Sequence, residues 1–206
     1  MAYVLGLLNL VFFTAPKSDI KPQNMGFDVR GNIKIFDFGL AKSLVPHLQA
    51  QCGLLYHLTA KCGSLPYMAP EVALSKPYNE KCDVYSFSIV LFEIVSLQPP
   101  FSKRTKLNFS RKVLRGEARP RIHRSIPPFT KKVLKRSWSE SHTVRPDMAT
   151  IAELLQCDVD HLAKDDLVHA RTHHILNLSN HSIVRDEKKS GSLTPGDEPK
   201  HDTSTF

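Results

Sequence analysis

The chain has 206 residues, 41% of them apolar and 23% charged, with 28 Lys and Arg against 20 Asp and Glu and a net charge of +8. These proportions belong to an ordinary globular protein and exclude collagen-like, coiled-coil and wholly disordered chains. The four cysteines are too sparse for a disulfide scaffold, and they form no C-x-x-C pair, which argues against a zinc or thioredoxin-type site.

Residues 2–15, AYVLGLLNLVFFTA, carry no charge. This run falls short of the ~20 residues that cross a bilayer, so no stable membrane span is expected. No Lys or Arg precedes it, as one would in a secretory leader. Residues 1–17 are set apart as an apolar segment of unclear origin. The protein is expected in the cytoplasm with reduced thiols; membrane association or secretion through residues 1–15 is the alternative.

Two short extended runs follow, at 24–29 and 32–36, with Gly31 between them to supply the positive φ of a tight turn. They predict a β-hairpin. Residues 83–97, DVYSFSIVLFEIVSL, contain only two charges and predict a helix buried on all sides, ended by Pro99 and Pro100. Amphipathic helices are expected at 103–115, 129–138 and 146–156, the last with Pro146 in its first turn.

The basic excess lies within 102–136, where thirteen Lys and Arg accompany one acid, Glu117. Such a block can attract polyanions, but its plain reading is the solvated face of surface helices. No aromatic-rich RNA motif or zinc-finger spacing goes with it, and no nucleic-acid partner is expected. From 158 the chain is polar, His-rich and aperiodic; it has little apolar surface to offset its ordering entropy and is expected to be a disordered tail.

Three motifs carry chemistry. The first is Asp19-Ile20-Lys21-Pro22-Gln23-Asn24, the second Asp37-Phe38-Gly39, and the third Ala69-Pro70-Glu71 within GSLPYMAPE. Each alone is weak. In this order and spacing they resemble the catalytic loop, metal-binding triplet and activation-segment end of eukaryotic protein kinases. The resemblance spans about 18–157. Lys21 two residues after the base is typical of Ser/Thr kinases, and DVYSFSIVLFEI is similar to the tyrosine-kinase-like branch. GFDVRGNIKIFDFGLAKSL and YMAPEVALSKPYN are similar to kinases of diatoms and related algae.

The resemblance implies a protein-kinase-like α+β fold, with 18–157 forming a mainly α C-lobe that carries a small β-hairpin, and 158–206 as the tail. It implies Ser/Thr phosphoryl transfer from ATP to a protein substrate. Asp19 would be the base and Lys21 would sit beside the γ-phosphate. Asn24 and Asp37 would offer oxygens to Mg²⁺, so that Lys21, Asn24 and Asp37 together hold the metal nucleotide. Gly39 would let the backbone turn behind Asp37. Ser64 stands where a Thr usually contacts the base, Asp83 would brace the catalytic loop, and Glu71 would pair with Arg145. Thr59 and Ser64 are candidate phosphorylation sites.

The chain also departs from the pattern. Lys17-Ser18 replace the His-Arg that normally precedes the base, and the Arg is the usual clamp for an activation-loop phosphate. Residues 1–18 offer no Gly-rich loop, no V-A-x-K lysine and no glutamate to pair with it. The N-lobe, needed to grip ATP, is therefore expected to be missing from this sequence, and the isolated chain to be inactive. A non-catalytic kinase-like module that binds partners is the alternative.

Overall fold

The computed structural model describes residues 16–51, 53–102 and 112–165. The chain divides into two units, 1–160 and 161–206; the described part of the second, 161–165, is helical.

Among its described residues the first unit is mostly helical with one small two-stranded sheet. Strands β1 (Met25–Phe27) and β2 (Ile33–Ile35) pair antiparallel, with Met25 opposite Ile35 and Phe27 opposite Ile33. Asp28 builds the connection. Its Oδ1 accepts the N–H groups of Arg30 (2.9 Å) and Asn32 (2.8 Å), while Gly31 takes φ 79°. The two N–H bonds from Asn32 and Arg30, aided by Lys34, hold the Asp28 carboxyl below the usual carboxylate range.

Helix α1 (Pro70–Ala73) is a single turn opened by proline. Helix α2 (Lys81–Ser96) is the axis of the core: every residue from Cys82 to Phe92 is buried. Tyr85, Ile89 and Leu91 are fully enclosed, each apolar side chain contributing about 1.5–3 kcal/mol by leaving water. The burial does not reach the end of the expected helix. Residues 93–96 are only partly covered, and Leu97 is 89% exposed in a left-handed turn at φ 52°. The uniform apolarity of the sequence hides this change of surroundings.

Helix α3 (Pro128–Ser137) buries Thr130, Val133, Leu134 and Ser137, the i, i+3, i+4, i+7 stripe of an amphipathic helix. Trp138, just past its end, meets Phe92 of α2 with ring centroids 6.1 Å apart. The opposite face of α3 exposes Lys132, Lys135 and Arg136, which accounts for part of the basic block. Arg119 from the same block is structural: its guanidinium donates to the carbonyls of Trp138, Val113 and Ala118. Most of the helix expected at 103–115 lies outside the described residues; Gly116 closes its described end at φ 76°.

Helix α4 starts at 148 rather than 146 and continues through 160 in this unit. Asp158 stands just beyond the boundary read from sequence, yet it is buried. Its carboxylate accepts the N–H of Phe129 (3.2 Å), the N–H of Thr130 (2.5 Å) and the Thr130 hydroxyl (2.7 Å). It thus caps α3, whose first turn, opened by prolines, has no capping side chain of its own. The tail from 166 lies outside the described residues.

Among the described residues, Cys62, Cys82 and Cys157 are free thiols, and no helix is long and apolar enough to cross a membrane.

Candidate active site

The loop before β1 carries the first motif. Asp19 is 8% exposed, and each oxygen of its carboxylate is engaged. Oδ2 accepts Lys21 Nζ at 2.7 Å and Asn24 Nδ2 at 3.1 Å; Oδ1 accepts the Ser64 backbone N–H at 3.0 Å. Burial opposes the charge, but the Lys21 bond and charge, with Ser64 and Asn24, outweigh it and keep the Asp19 carboxyl below its usual range. The contact from Ser64 is made by its main chain. Gly63 makes this approach feasible: its φ is +95°, and a Cβ there would lie 2.3 Å from the Ser18 carbonyl oxygen. Ser64 itself is partly buried, and Thr59 is exposed.

A single turn of 3₁₀ helix, Pro22–Asn24, swings Asn24 back under Asp19, where Nδ2 also donates to the Asp19 carbonyl at 3.0 Å. This leaves Oδ1 as the end of the amide available to an oxygen-seeking cation. The hairpin then returns the chain: the Phe36 N–H donates to the Asn24 carbonyl at 3.1 Å, and Asp37 is the next residue. Asp37 is exposed, with φ 63°, and its Oδ1 accepts the Gly39 N–H at 3.3 Å.

The sharp turn expected at Gly39 is therefore at Asp37 itself; Gly39 is absent from the left-handed residues. An Asp tolerates that region because its short polar side chain bonds the local backbone. A Cβ at Gly39 would crowd Asp37 Oδ1 at 3.3 Å.

Asn24 and Asp37 offer hard oxygens, as a magnesium ion requires. Two protein ligands suit an ion that keeps waters and phosphate oxygens for its other positions. No cluster of three or more His, Cys, Asp or Glu fit for a metal occurs among the described residues.

Two further groups fix the loop. Asp83, buried on α2, accepts the Lys17 N–H at 2.6 Å and the Ser18 N–H at 2.9 Å, holding the two residues before Asp19. Burial pushes its carboxyl up to about 6 against these bonds. Arg145 is fully enclosed and binds Glu71 with both ends of its fork, at 2.5 and 2.9 Å. It also donates to the carbonyls of Lys81, Ser139 and Glu140 and lies 5.3 Å from the centre of the Tyr85 ring.

The sequence reading gave Lys17 no role. It is 1% exposed; its Nζ donates to the Phe36 carbonyl at 2.5 Å and sits 4.7 Å from the Phe38 ring centre. Burial draws its pKa down, opposed by Asp37, Asp19 and Asp83. The only hint in the sequence is a lysine where the kinase pattern has histidine.

The protein kinase domain family model matches residues 17–159. The chain is similar to the serine/threonine-protein kinase STY46 of Arabidopsis thaliana, 36% identical over 138 residues, covering 67% of this chain and 23% of that protein. It is similar to the serine/threonine/tyrosine-protein kinase HT1 of the same plant, at 33% over 138 residues, 67% of this chain and 33% of that one. The dual specificity protein kinase shkB of Dictyostelium discoideum is 34% identical over 156 residues, 73% of this chain and 22% of that protein. The chain spans about a quarter to a third of the length of the first three curated relatives it matches.

Proposed function

The chain belongs to the protein kinase domain family, and from that premise we propose that it is the C-lobe of an ATP-dependent protein kinase acting on Ser or Thr hydroxyls of a protein substrate. The observation that carries this reading is the Asp19 carboxylate, held ionised by Lys21, Asn24 and the Ser64 N–H.

Asp19 orients the attacking hydroxyl and accepts its proton at a carboxylate oxygen as the new O–P bond forms and the bond from the γ-phosphorus to the bridging oxygen breaks, releasing ADP. Lys21, on Asp19 Oδ2 with its side chain partly exposed, meets the charge that develops on the transferring phosphoryl group. Asn24 and Asp37 would hold Mg²⁺, which would supply charge neutralisation of the ATP phosphates. Asp83 keeps the loop backbone in place, and the Glu71–Arg145 pair anchors the end of the activation segment. The phosphorylation sites we assign are Thr59, which is exposed, and Ser64.

Gripping adenine and the α- and β-phosphates falls to an N-lobe, for which residues 1–18, with Gly6 as their one glycine, provide no Gly-rich loop. The test is phosphoryl transfer from ATP to a generic Ser/Thr substrate by this chain joined to a tyrosine-kinase-like N-lobe. Transfer that Asp19→Asn and Asp37→Asn each abolish supports the reading. A folded, inactive chimaera would turn the assignment to a non-catalytic kinase-like binding module.

A further inference from the structure

We infer that Lys17 is the positioning residue for Asp37, acting through the backbone and ring on either side of it rather than through the carboxylate. This rests on the reading of Asp37 as a metal ligand.

Phe36 is gripped on both sides of its Cα: its N–H donates to the Asn24 carbonyl at 3.1 Å and its carbonyl accepts Lys17 Nζ at 2.5 Å. On the far side of Asp37, the Phe38 ring lies 4.7 Å from the same ammonium, within reach of a cation–π attraction. One buried nitrogen thus brackets Asp37 from both neighbours. Asp37 is exposed and left-handed at φ 63°, a conformation its own bond to the Gly39 N–H already favours. The bracket adds a hold on the residues to either side of it.

The choice of acceptor carries the argument. Three carboxylates, Asp19, Asp37 and Asp83, are near enough to act on the Lys17 charge. Among the described residues, none of them forms an ion pair with it. The ammonium is given to a main-chain carbonyl, so the Asp37 carboxylate stays unneutralised and its position is fixed. The Lys17 main-chain N–H is bound separately to Asp83 on α2. One residue therefore ties the buried helix to the metal-binding turn, and its two attachments can be separated by mutation.

Lys17→Met removes the ammonium and leaves the bond to Asp83. The probe is Mn²⁺ alone, a hard, paramagnetic stand-in for magnesium, followed by amide broadening in the full 206-residue chain. The Mn²⁺ concentration that half-broadens Asp37 and Gly39 should rise about tenfold in Lys17→Met, the scale of one hydrogen bond to a charged group. Lys17→Arg, which keeps a charged donor, should recover most of that loss. An unchanged midpoint in a folded Lys17→Met overturns the inference. Asp37→Asn should abolish broadening at Asn24; if it does not, the metal-ligand reading of Asp37 falls separately. Should Lys17→Met fail to fold, the unaltered chain decides. A clamped ammonium gives slowly exchanging Nζ protons with cross-peaks to the Phe38 ring, and their absence overturns the inference.

Discussion

Arg145 shows what a single buried charge does to its surroundings. Its guanidinium is fully enclosed and every contact is a carboxylate, a carbonyl or a ring face. Arg145→Ala leaves Glu71 desolvated without its partner and strands three carbonyls, a loss of about 3–5 kcal/mol. Urea unfolding checks it, and a wild-type midpoint would contradict it. Asp83 is the reverse case, a carboxylate that burial disfavours. Its folded pKa, about 6, lies above the ordinary 3.8, so the folded state binds the proton more tightly than the unfolded state does. Its contribution is fully present below about 4 and is lost as pH rises through 6. Asp19, with a lowered folded pKa, has the opposite sign: its contribution is present above the ordinary carboxylate range and is lost as pH falls through its folded value. Carboxyl ¹³C shifts should show Asp83 titrating near 6 and Asp19 below the ordinary carboxylate range; an Asp83 midpoint near 4 would refute the assignment.

At the scale of elements, two left-handed glycines make a controlled comparison. Gly31, in the hairpin, has φ +79° with open space where a Cβ would go; Gly63 has φ +95° with the Ser18 carbonyl 2.3 Å from that position. Gly31→Ala should lose only the conformational preference, about 1–2 kcal/mol. Gly63→Ala must in addition push the activation segment away from the catalytic loop. It should be the more damaging by unfolding measurements and should raise the Asp19 pKa by removing the Ser64 N–H. Equal losses at the two sites would show that the approach of Gly63 is not tight. Helix ends give a second test. A chain ending at 157 loses the Asp158 carboxylate from α3, and should be less stable than one ending at 160 by about 1–2 kcal/mol, the scale of a removed N-cap. Equal stability would deny Asp158 its capping role.

These elements also show how far the sequence could be read. The hairpin and the helices at 81–96 and 128–137 were legible because each rests on local periodicity and turn residues. Asp19, Asn24 and Asp37 were legible through their resemblance to kinase motifs, at a spacing that one 3₁₀ turn and one hairpin accommodate. What escaped is non-local or geometric. The bond of the Lys17 ammonium to the Phe36 carbonyl bridges 19 positions and that of Asp158 with Thr130 bridges 28, and neither leaves a trace in a short window; the Asp83 brace, across 66 positions, was expected only through the family resemblance. A sharp turn was expected behind Asp37, at Gly39, whereas the left-handed residue is Asp37 itself.

For the whole molecule, the described residues hold the groups proposed to act on a terminal phosphate and its metal, and residues 1–18 supply no Gly-rich loop to orient the rest of a nucleotide. Positioning supplies most of the acceleration in phosphoryl transfer. The 206-residue polypeptide should therefore label a protein substrate negligibly from ATP. Robust labelling abolished by Asp19→Asn would contradict this.

The Arg145 hub has a consequence in time as well as in stability. Its bonds join the chain across 74 and 64 positions. Loops of that length must close before the guanidinium meets Glu71 and Lys81, so these long-range bonds of the hub belong to the late part of folding. Interactions absent from the transition state act on escape from the native basin alone. Replacing Arg145 should leave the refolding rate nearly untouched and accelerate unfolding by almost the whole of the lost stability. The hub is then a latch: it does little to help the chain find its fold and mainly sets how long the fold lasts once found.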